Sequence, residues 1–322
     1  MDLNIETIDK AQDIAQLVMD EVKKIVVGKD ECVEKAFAAI IAGGHILIED
    51  VPGVGKTTLA LAFSKVMGLD DNRVQFTPDV LPADILGFSM YKKETGKFEY
   101  MPGVVMCNLL LADEINRTSP KTQSALLEVM EEKRVTVDGV TREVPEPFIV
   151  MATQNPKGSA GTQLLPEAQL DRFMISMSMG YPDSEYEIEI AKNDRRVNDA
   201  EKIKPVIRCE HLTLLKETTE SVFIHDNIYK YIVKLNKATR DNSYIELGIS
   251  PRGTIALAKL SKAKAFLQGR KYVIPEDVQA MYKDVGRHRI VLNTKARVAH
   301  VAEDAVLEQI MTQVKAPVSY ME

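Results

Sequence analysis

Short apolar runs alternate with amphipathic stretches through the first two-thirds of the chain, at 46–50, about 73–77, 107–112, 148–152 and 173–179. Brief, nearly continuous apolar runs suit strands buried on both faces. Their alternation with helical segments predicts an α/β core in which helices sandwich a mainly parallel sheet. After GYPDSEYE, at 180–187, the periodicity becomes wholly helical. Ile228, Ile232 and Leu235 fall at i, i+4 and i+7, as do Ala256, Leu260 and Ala263, and Pro275 precedes another helical stretch. The pattern places a boundary near Tyr181 and Pro182, between a core of residues 1–182 and an all-helical domain of residues 183–322.

Two segments break the core rhythm and read as hairpins. In GFSMYKKETGKFEYMPG, about 87–103, alternating residues flank a Thr95-Gly96 turn. In KRVTVDGVTREVP, about 133–145, the turn is Asp138-Gly139, which favours type I′ geometry.

Composition then bounds the class. A chain of 322 residues with 45% hydrophobic content can bury a full core, and its length suits two domains better than one. No stretch approaches the roughly 18 apolar residues of a membrane span, and the N-terminal MDLNIETIDKAQDIAQLVMDEVKK reads as an amphipathic helix, not a signal peptide. A cytoplasmic protein without membrane insertion is expected. Cys32, Cys107 and Cys209 lie far apart, show no metal-ligand spacing and are odd in number, which argues against a disulfide framework. A net charge of −6 gives no whole-chain attraction to nucleic acid. The best basic cluster is DVGRHRIVLNTKAR at 284–297, with Arg287, His288, Arg289, Lys295 and Arg297. It lacks interleaved aromatics and reads better as a solvated helical face or a subunit contact.

The candidate chemistry lies at the ends of the apolar runs. Residues 46–58 read ILIEDVPGVGKTT, a strand followed by a Gly-rich loop that can cradle nucleotide phosphates. Gly53 and Gly55, with Val54 between them, let successive backbone N–H groups turn toward a phosphate, and a helix opening at Lys56-Thr57-Thr58 adds its positive end. Lys56 would reach the β- and γ-phosphates and Thr57 would hold Mg²⁺. The strict P-loop pattern is not met, because Asp50 stands at its first position, and a bare G-x-G-K-[ST] arises by chance in roughly one chain in a hundred of this length. The loop alone therefore decides nothing.

Residues 109–117, LLLADEINR, form a second apolar run that ends in two carboxylates, the Walker B arrangement. There Asp113 can order the water shell of Mg²⁺ and Glu114 can polarise an attacking water. An isolated Asp-Glu pair more often caps a helix or sits in a turn; two phosphate-site motifs in the right order reverse that weighting. A third run, FIVMATQNP at 148–156, ends in Asn155, whose amide can orient the water between Glu114 and the γ-phosphate, as sensor-1 residues do.

With these residues together, the chain resembles a MoxR-type AAA+ ATPase over almost all of its length. The resemblance rests on VPGVGKT at 51–57, LLLADEINRTSPKTQSALLEVMEEKRVTVDG at 109–139, MATQNP at 151–156, LPEAQLDRF at 165–173 and SPRG at 250–253. It implies an AAA+ core with hairpin inserts, a helical lid, and rings, usually hexamers, with ATP and Mg²⁺ between subunits. It implies that Arg172 is an arginine finger directed at a neighbour's nucleotide. Arg252 matches sensor 2, acting on its own subunit or the next. Val27 and Gly28 match the segment whose backbone meets adenine. The hairpins resemble the helix-2 insert and pre-sensor-1 hairpin that face a central pore, which makes Lys97, Phe98 and Tyr100 candidates for gripping a client. The resemblance also suggests a chaperone-like role in maturing protein clients or inserting a metal or cofactor into them, including clients with von Willebrand factor A domains.

Three other readings compete. A small-molecule kinase would need a phosphoryl acceptor pocket, whereas Glu114 beside Asp113, with a sensor Asn, points to water as acceptor. A slowly hydrolysing, ATP-switched scaffold would carry the same motifs as a motor. A McrB-like nucleic-acid-linked motor would be supported by a further basic domain, and none is evident.

Overall fold

The computed structural model describes residues 5–51, 53–155, 165–192 and 204–318. Pro52 and Pro156, quoted above within their motifs, lie outside the described residues. Helices α1 (Ile5–Ile25) and α2 (Asp30–Ile41) lead into β1 (Ile46–Glu49), α3 (Lys56–Val66) and β2 (Asp71–Gln75). Next come α4 (Pro82–Leu86), the hairpin β3 (Gly87–Lys92) and β4 (Lys97–Pro102), then β5 (Leu109–Asp113) and α5 (Pro120–Glu132). A second hairpin, β6 (Arg134–Val137) and β7 (Val140–Glu143), precedes β8 (Ile149–Gln154), the single turn α6 (Glu167–Leu170) and β9 (Ile175–Met177).

Five strands form one sheet in the order β2-β5-β8-β1-β9, with every neighbouring pair parallel. The central strands are apolar without interruption because both of their faces are covered. Ile46, Ile48, Leu109, Leu111, Ile149 and Met151 join a cluster with α1, α2 and α3, whereas Leu47, Leu110, Ala112, Val150 and Ala152 join a second cluster with α5. Edge strand β2 is mixed in burial, as its polar sequence requires. Both hairpins form as expected. Asp138 and Gly139 both take positive φ, 52° and 75°, which matches the type I′ turn.

Beyond β9 the elements are α7 (Ser184–Lys192), α8 (Cys209–Ser221), α9 (Asp226–Arg240), β10 (Ile245–Leu247), α10 (Pro251–Leu267), α11 (Pro275–Gly286), β11 (Val291–Leu292), α12 (Thr294–Val298) and α13 (Glu303–Gln313). Among the described residues helical periodicity holds, joined by a short antiparallel β10–β11 ladder. Ser250 and Asn293 start α10 and α12 as N-caps, accepting from Gly253 N–H and Ala296 N–H. The cluster on the α1–α3 side of the sheet continues through α8 to α13. Lys35 of α2 pairs with the buried Asp284 of α11 at 2.8 Å, and Glu34 pairs with Lys264 of α10. Among the described residues no helix is long and apolar enough to cross a membrane.

His45, just before β1, is buried and joins α5 to β8. Its Nδ1 accepts from Val150 N–H at 3.0 Å, which leaves Nε2 as the donor to the Met130 carbonyl at 3.0 Å. Burial is the main reason that its pKa falls from 6.5 to about 4. Between these values the unfolded chain takes up a proton that the folded chain refuses, so stability is complete above 6.5 and is lost as pH falls. His288, also buried and depressed, adds in the same direction. Thermal melts should show a loss on the order of 3 kcal/mol from His45 as pH drops from 6.5 toward 4. His45→Gln should flatten that slope, and an unaltered slope would assign the dependence to other groups.

Candidate active site

The carboxyl ends of β1, β8 and β5 meet at one rim, with Glu49 opposite Gln154 and Gln75 of β2 opposite Asp113. Glu49 ties the rim across β1, accepting from Gln154 Nε2 at 2.6 Å and Ser176 Oγ at 2.5 Å. A cavity of about 430 Å³ opens there. Gly53, Gly55, Lys56, Thr57 and Thr58 line one side and Arg73, Gln75, Asp113, Glu114 and Asn155 the other. It lies beyond the strand ends, and the residues that line it come from the core, while the C-terminal helices pack against α1, α2 and β9.

The Gly-rich loop takes left-handed backbone at both of its glycines despite Asp50. Gly53 and Gly55 adopt φ of 86° and 96°, where side chains are strained, and nothing stands within 4 Å of the position a Cβ on Gly53 would take. Gly55 is the N-cap of α3, so Lys56, Thr57 and Thr58 form its first turn, whose free N–H groups and positive end face the cavity. Val54 is buried in the apolar cluster and supplies only backbone to the loop. Lys56 Nζ donates to the Asp50 carbonyl at 2.9 Å. Burial pulls its ammonium below the usual range, against the raising influence of Asp113, Asp50 and Glu114.

Asp50 has a use of its own. Its carboxylate accepts from Met179 N–H and Gly180 N–H at 2.7 Å each, Ser178 Oγ at 2.9 Å and Val51 N–H at 2.9 Å. Burial would raise its pKa, but these bonds outweigh burial and hold the group below the usual carboxylate range. Asp50 thus joins the start of the P-loop to the strap that follows β9.

Asp113 and Glu114 are held as a pair. Thr153 on β8 accepts from Glu114 N–H at 2.9 Å and donates to Asp113 Oδ1 at 2.6 Å, while Arg73 reaches Asp113 Oδ2 at 2.8 Å. Glu114 takes φ of 56°, an uncommon conformation for a non-glycine residue of the kind that concentrates at functional sites. Gln75 and Arg117 each donate to Glu114 Oε2 at 2.8 Å. Asn155 stands at the cavity, its carbonyl accepting from Asn116 Nδ2 at 3.3 Å. Arg73, Gln75, Arg117 and Thr153 are the site residues that sequence reasoning missed.

The structure does not bring the remaining candidates to this cavity. Arg172 and Arg252 sit together elsewhere, on the two oxygens of Glu131 from α5, at 3.4 Å and 2.5 Å. Val27 and Gly28 do not line the cavity either; the Tyr186 ring of α7 packs on Gly28, 2.5 Å from where a Cβ would lie. The basic cluster at 284–297 is divided: His288 and Arg289 are buried and Arg287 pairs with Asp304 and Asp284, whereas Lys295 and Arg297 are exposed.

A parallel sheet, a Gly-rich loop opening a helix and an Asp-Glu pair on the strand two places away in the sheet define a P-loop nucleotide-binding protein. Residues 45–175 match the family described as "ATPase family associated with various cellular activities (AAA)", and residues 237–310 match the AAA lid domain. The uncharacterized protein YeaC of Bacillus subtilis is 46% identical over 93% of this chain and 94% of its own. Chaperone MoxR1 of Mycobacterium tuberculosis is 40% identical over 92% of this chain and 81% of its own. The solved structure of an ATPase candidate from Cytophaga hutchinsonii superposes with a TM-score of 0.90 at 38% identity, covering 97% of each chain. The chain belongs to the MoxR family of AAA+ ATPases.

Thr153→Val removes one hydroxyl at almost constant shape and leaves Glu114 N–H and Asp113 Oδ1 each short of a bond. Losing a bond to a charged group is worth about 1.5–3 kcal/mol. Nucleotide affinity measured by titration should therefore fall about tenfold or more with Mg²⁺ present and little without it. Equal affinity of Thr153→Val and the parent with Mg²⁺ present would remove Thr153 from this role.

Proposed function

We propose that this chain hydrolyses ATP at contacts between subunits of a ring and uses the cycle to drive conformational change on protein clients. The observation that carries the reading is the division of the candidate residues. Glu114 and Asn155 line the cavity with the P-loop, whereas Arg172 and Arg252 stand together outside it on Glu131. Both arginines are partly exposed, so each can leave a carboxylate for a phosphate, and a guanidinium at a transferring phosphoryl group is worth about 10³ to 10⁵ in rate. A second copy of the chain supplies the site that the pair serves. The assembly is a homo-oligomer, and a hexamer is the stoichiometry we favour.

In this reading the loop N–H groups around Val54 and Lys56 Nζ hold the phosphates, and Glu114 accepts the proton of an attacking water oriented by Asn155. Thr57 and Asp113 would hold Mg²⁺, which would supply positive charge to offset that of the phosphates. The donor set fits that ion: among the described residues no group of three or more His, Cys, Asp or Glu could hold a metal alone, and Mg²⁺ is ordinarily held by one or two protein oxygens plus phosphate. Val27 and Gly28 remain the candidates for backbone contact with adenine.

The relative named Chaperone MoxR1 supports a chaperone-like role. We extend that role, on the family resemblance alone, to maturation or metal and cofactor insertion on protein clients, including those with von Willebrand factor A domains. The β3–β4 hairpin offers them an apolar surface. Phe98 is 74% exposed and meets the exposed Tyr91 edge to face, while Phe88 and Met90 are exposed on the other face of the hairpin. Tyr100 contributes less, because its hydroxyl donates to the Leu86 carbonyl at 2.6 Å and Arg142 covers its ring.

ATPase rate per subunit should climb with protein concentration as a hexamer-sized species appears; a constant low rate from a monomer would favour a nucleotide-switched scaffold. Glu114→Gln should bind ATP normally and hydrolyse almost none, and Lys56→Ala should weaken binding about tenfold or more. Arg172→Ala should bind ATP yet lose most hydrolysis, and mixing it with Glu114→Gln subunits should restore part of the rate.

A further inference from the structure

Arg289, between α11 and β11, is a charged side chain only 5% exposed. Its Nε donates to Asp171 Oδ1 at 2.7 Å, and Nη2 donates to the carbonyls of Phe173 at 2.6 Å and Asp171 at 3.2 Å. Nη1 lies 3.1 Å from the Met174 carbonyl, 2.6 Å from the Val285 carbonyl and 2.8 Å from His288 Nε2. One guanidinium therefore holds the backbone on both sides of Arg172. The other oxygen of Asp171 accepts from Ser250 Oγ at 2.8 Å, the cap of the helix whose second residue is Arg252. Gly253 completes the arrangement, since a Cβ there would stand 2.8 Å from Arg289 Cδ, so the Arg289 stem crosses the first turn of α10.

We infer that Arg289 is a positioning residue for hydrolysis: with Asp171 and Ser250 it fixes the backbones that carry Arg172 and Arg252, so that the two guanidinium groups reach a neighbouring subunit as one fork. The inference rests on the trans arrangement proposed above. Stability alone does not call for such a group, because well-packed apolar residues often replace a buried ion pair at no loss. A planar fork with several fixed donors is what geometry demands here, and a lysine ammonium, which is a point charge, cannot reach the Asp171 carboxylate and four carbonyls together.

The test is Arg289→Lys, which keeps the charge and loses the fork. Alone, it should keep nucleotide affinity within about twofold of the parent and lose about tenfold to a hundredfold in hydrolysis, the scale of a small misplacement of a reacting group. Mixed with Glu114→Gln subunits, whose arginine pair is intact, it should recover part of the rate. Mixed with Arg172→Ala subunits it should recover none, because neither partner presents a working pair. A general loss of structure would lower nucleotide affinity and would not distinguish the two partners. Parent-level hydrolysis by Arg289→Lys alone, or equal recovery with both partners, would overturn the inference. If Arg172→Ala with Glu114→Gln also fails to recover, the trans reading itself is wrong and the inference falls with it. Should Arg289→Lys fail to fold, Asp171→Asn, which weakens the same knot at constant shape, carries the same series and the same outcomes.

Discussion

Every contact at the cavity depends on the parallel register that brings the ends of β1, β8 and β5 to one rim. Parallel strands need crossover connections, which place all of their carboxyl ends on the same side of the sheet, where α/β proteins hold ligands. The register is set by burial: Leu109 and Leu111 face one apolar cluster while Leu110 and Ala112 face the other. A slip of one residue would exchange these sets and carry Asp113 away from the loop. The alignment is thus fixed by apolar side chains that never touch a ligand, and Glu49, spanning from Gln154 to Ser176, adds a polar tie at the same level.

Charge is handled in two ways on either side of this rim. Around Asp113 and Glu114 the compensation is local and partly exposed, from Arg73, Arg117 and Gln75, groups whose long side chains can change partners at low cost. Around Arg289 it is buried and complete, and removing one partner would leave a charge without water, which costs far more. The first setting suits residues that must respond to a nucleotide. The second suits a fixed scaffold.

The motifs that carry chemistry were legible because each follows an apolar strand, and strand ends are where such residues collect. The sheet, both hairpins and the helical C-terminal region were legible for a similar reason, since each has a local periodicity or a turn pair such as Asp138-Gly139. Arg73 and Gln75 were not. They lie on the polar edge strand β2, and only the strand order, which no local pattern records, sets them beside Asp113 and Glu114. Arg289 was misjudged for the opposite reason. A basic run looks like surface, and nothing near 289 in sequence announces the Asp171 carboxylate that allows its burial. The place of the C-terminal helices against α1 and α2 escaped as well, because long-range packing of apolar faces leaves no directional signal in the chain.

Strand β9 gives these separate features a common axis. The turn before it, 171–174, is gripped by Arg289, and the strap after it, 178–180, is gripped by the Asp50 carboxylate at the start of the P-loop. Only three strand residues, about 10 Å of extended chain, separate the two anchors. On the proposed reading, the phosphate cradle of one subunit and the arginine pair it presents to the next are therefore the two ends of a single short strand. Continuity becomes coupling only where an element has two arrangements. Met177 is packed in the core and Ile175 likewise, so the strand itself resists displacement. The anchor at Asp50 differs, because its grip is made of hydrogen bonds to loop amides. The same residue's carbonyl accepts from Lys56 Nζ, the group expected to move to a phosphate. A change of partner at Lys56 acts directly on the residue that holds the strap, and this makes the P-loop end, not the strand, the place where such a coupling would begin.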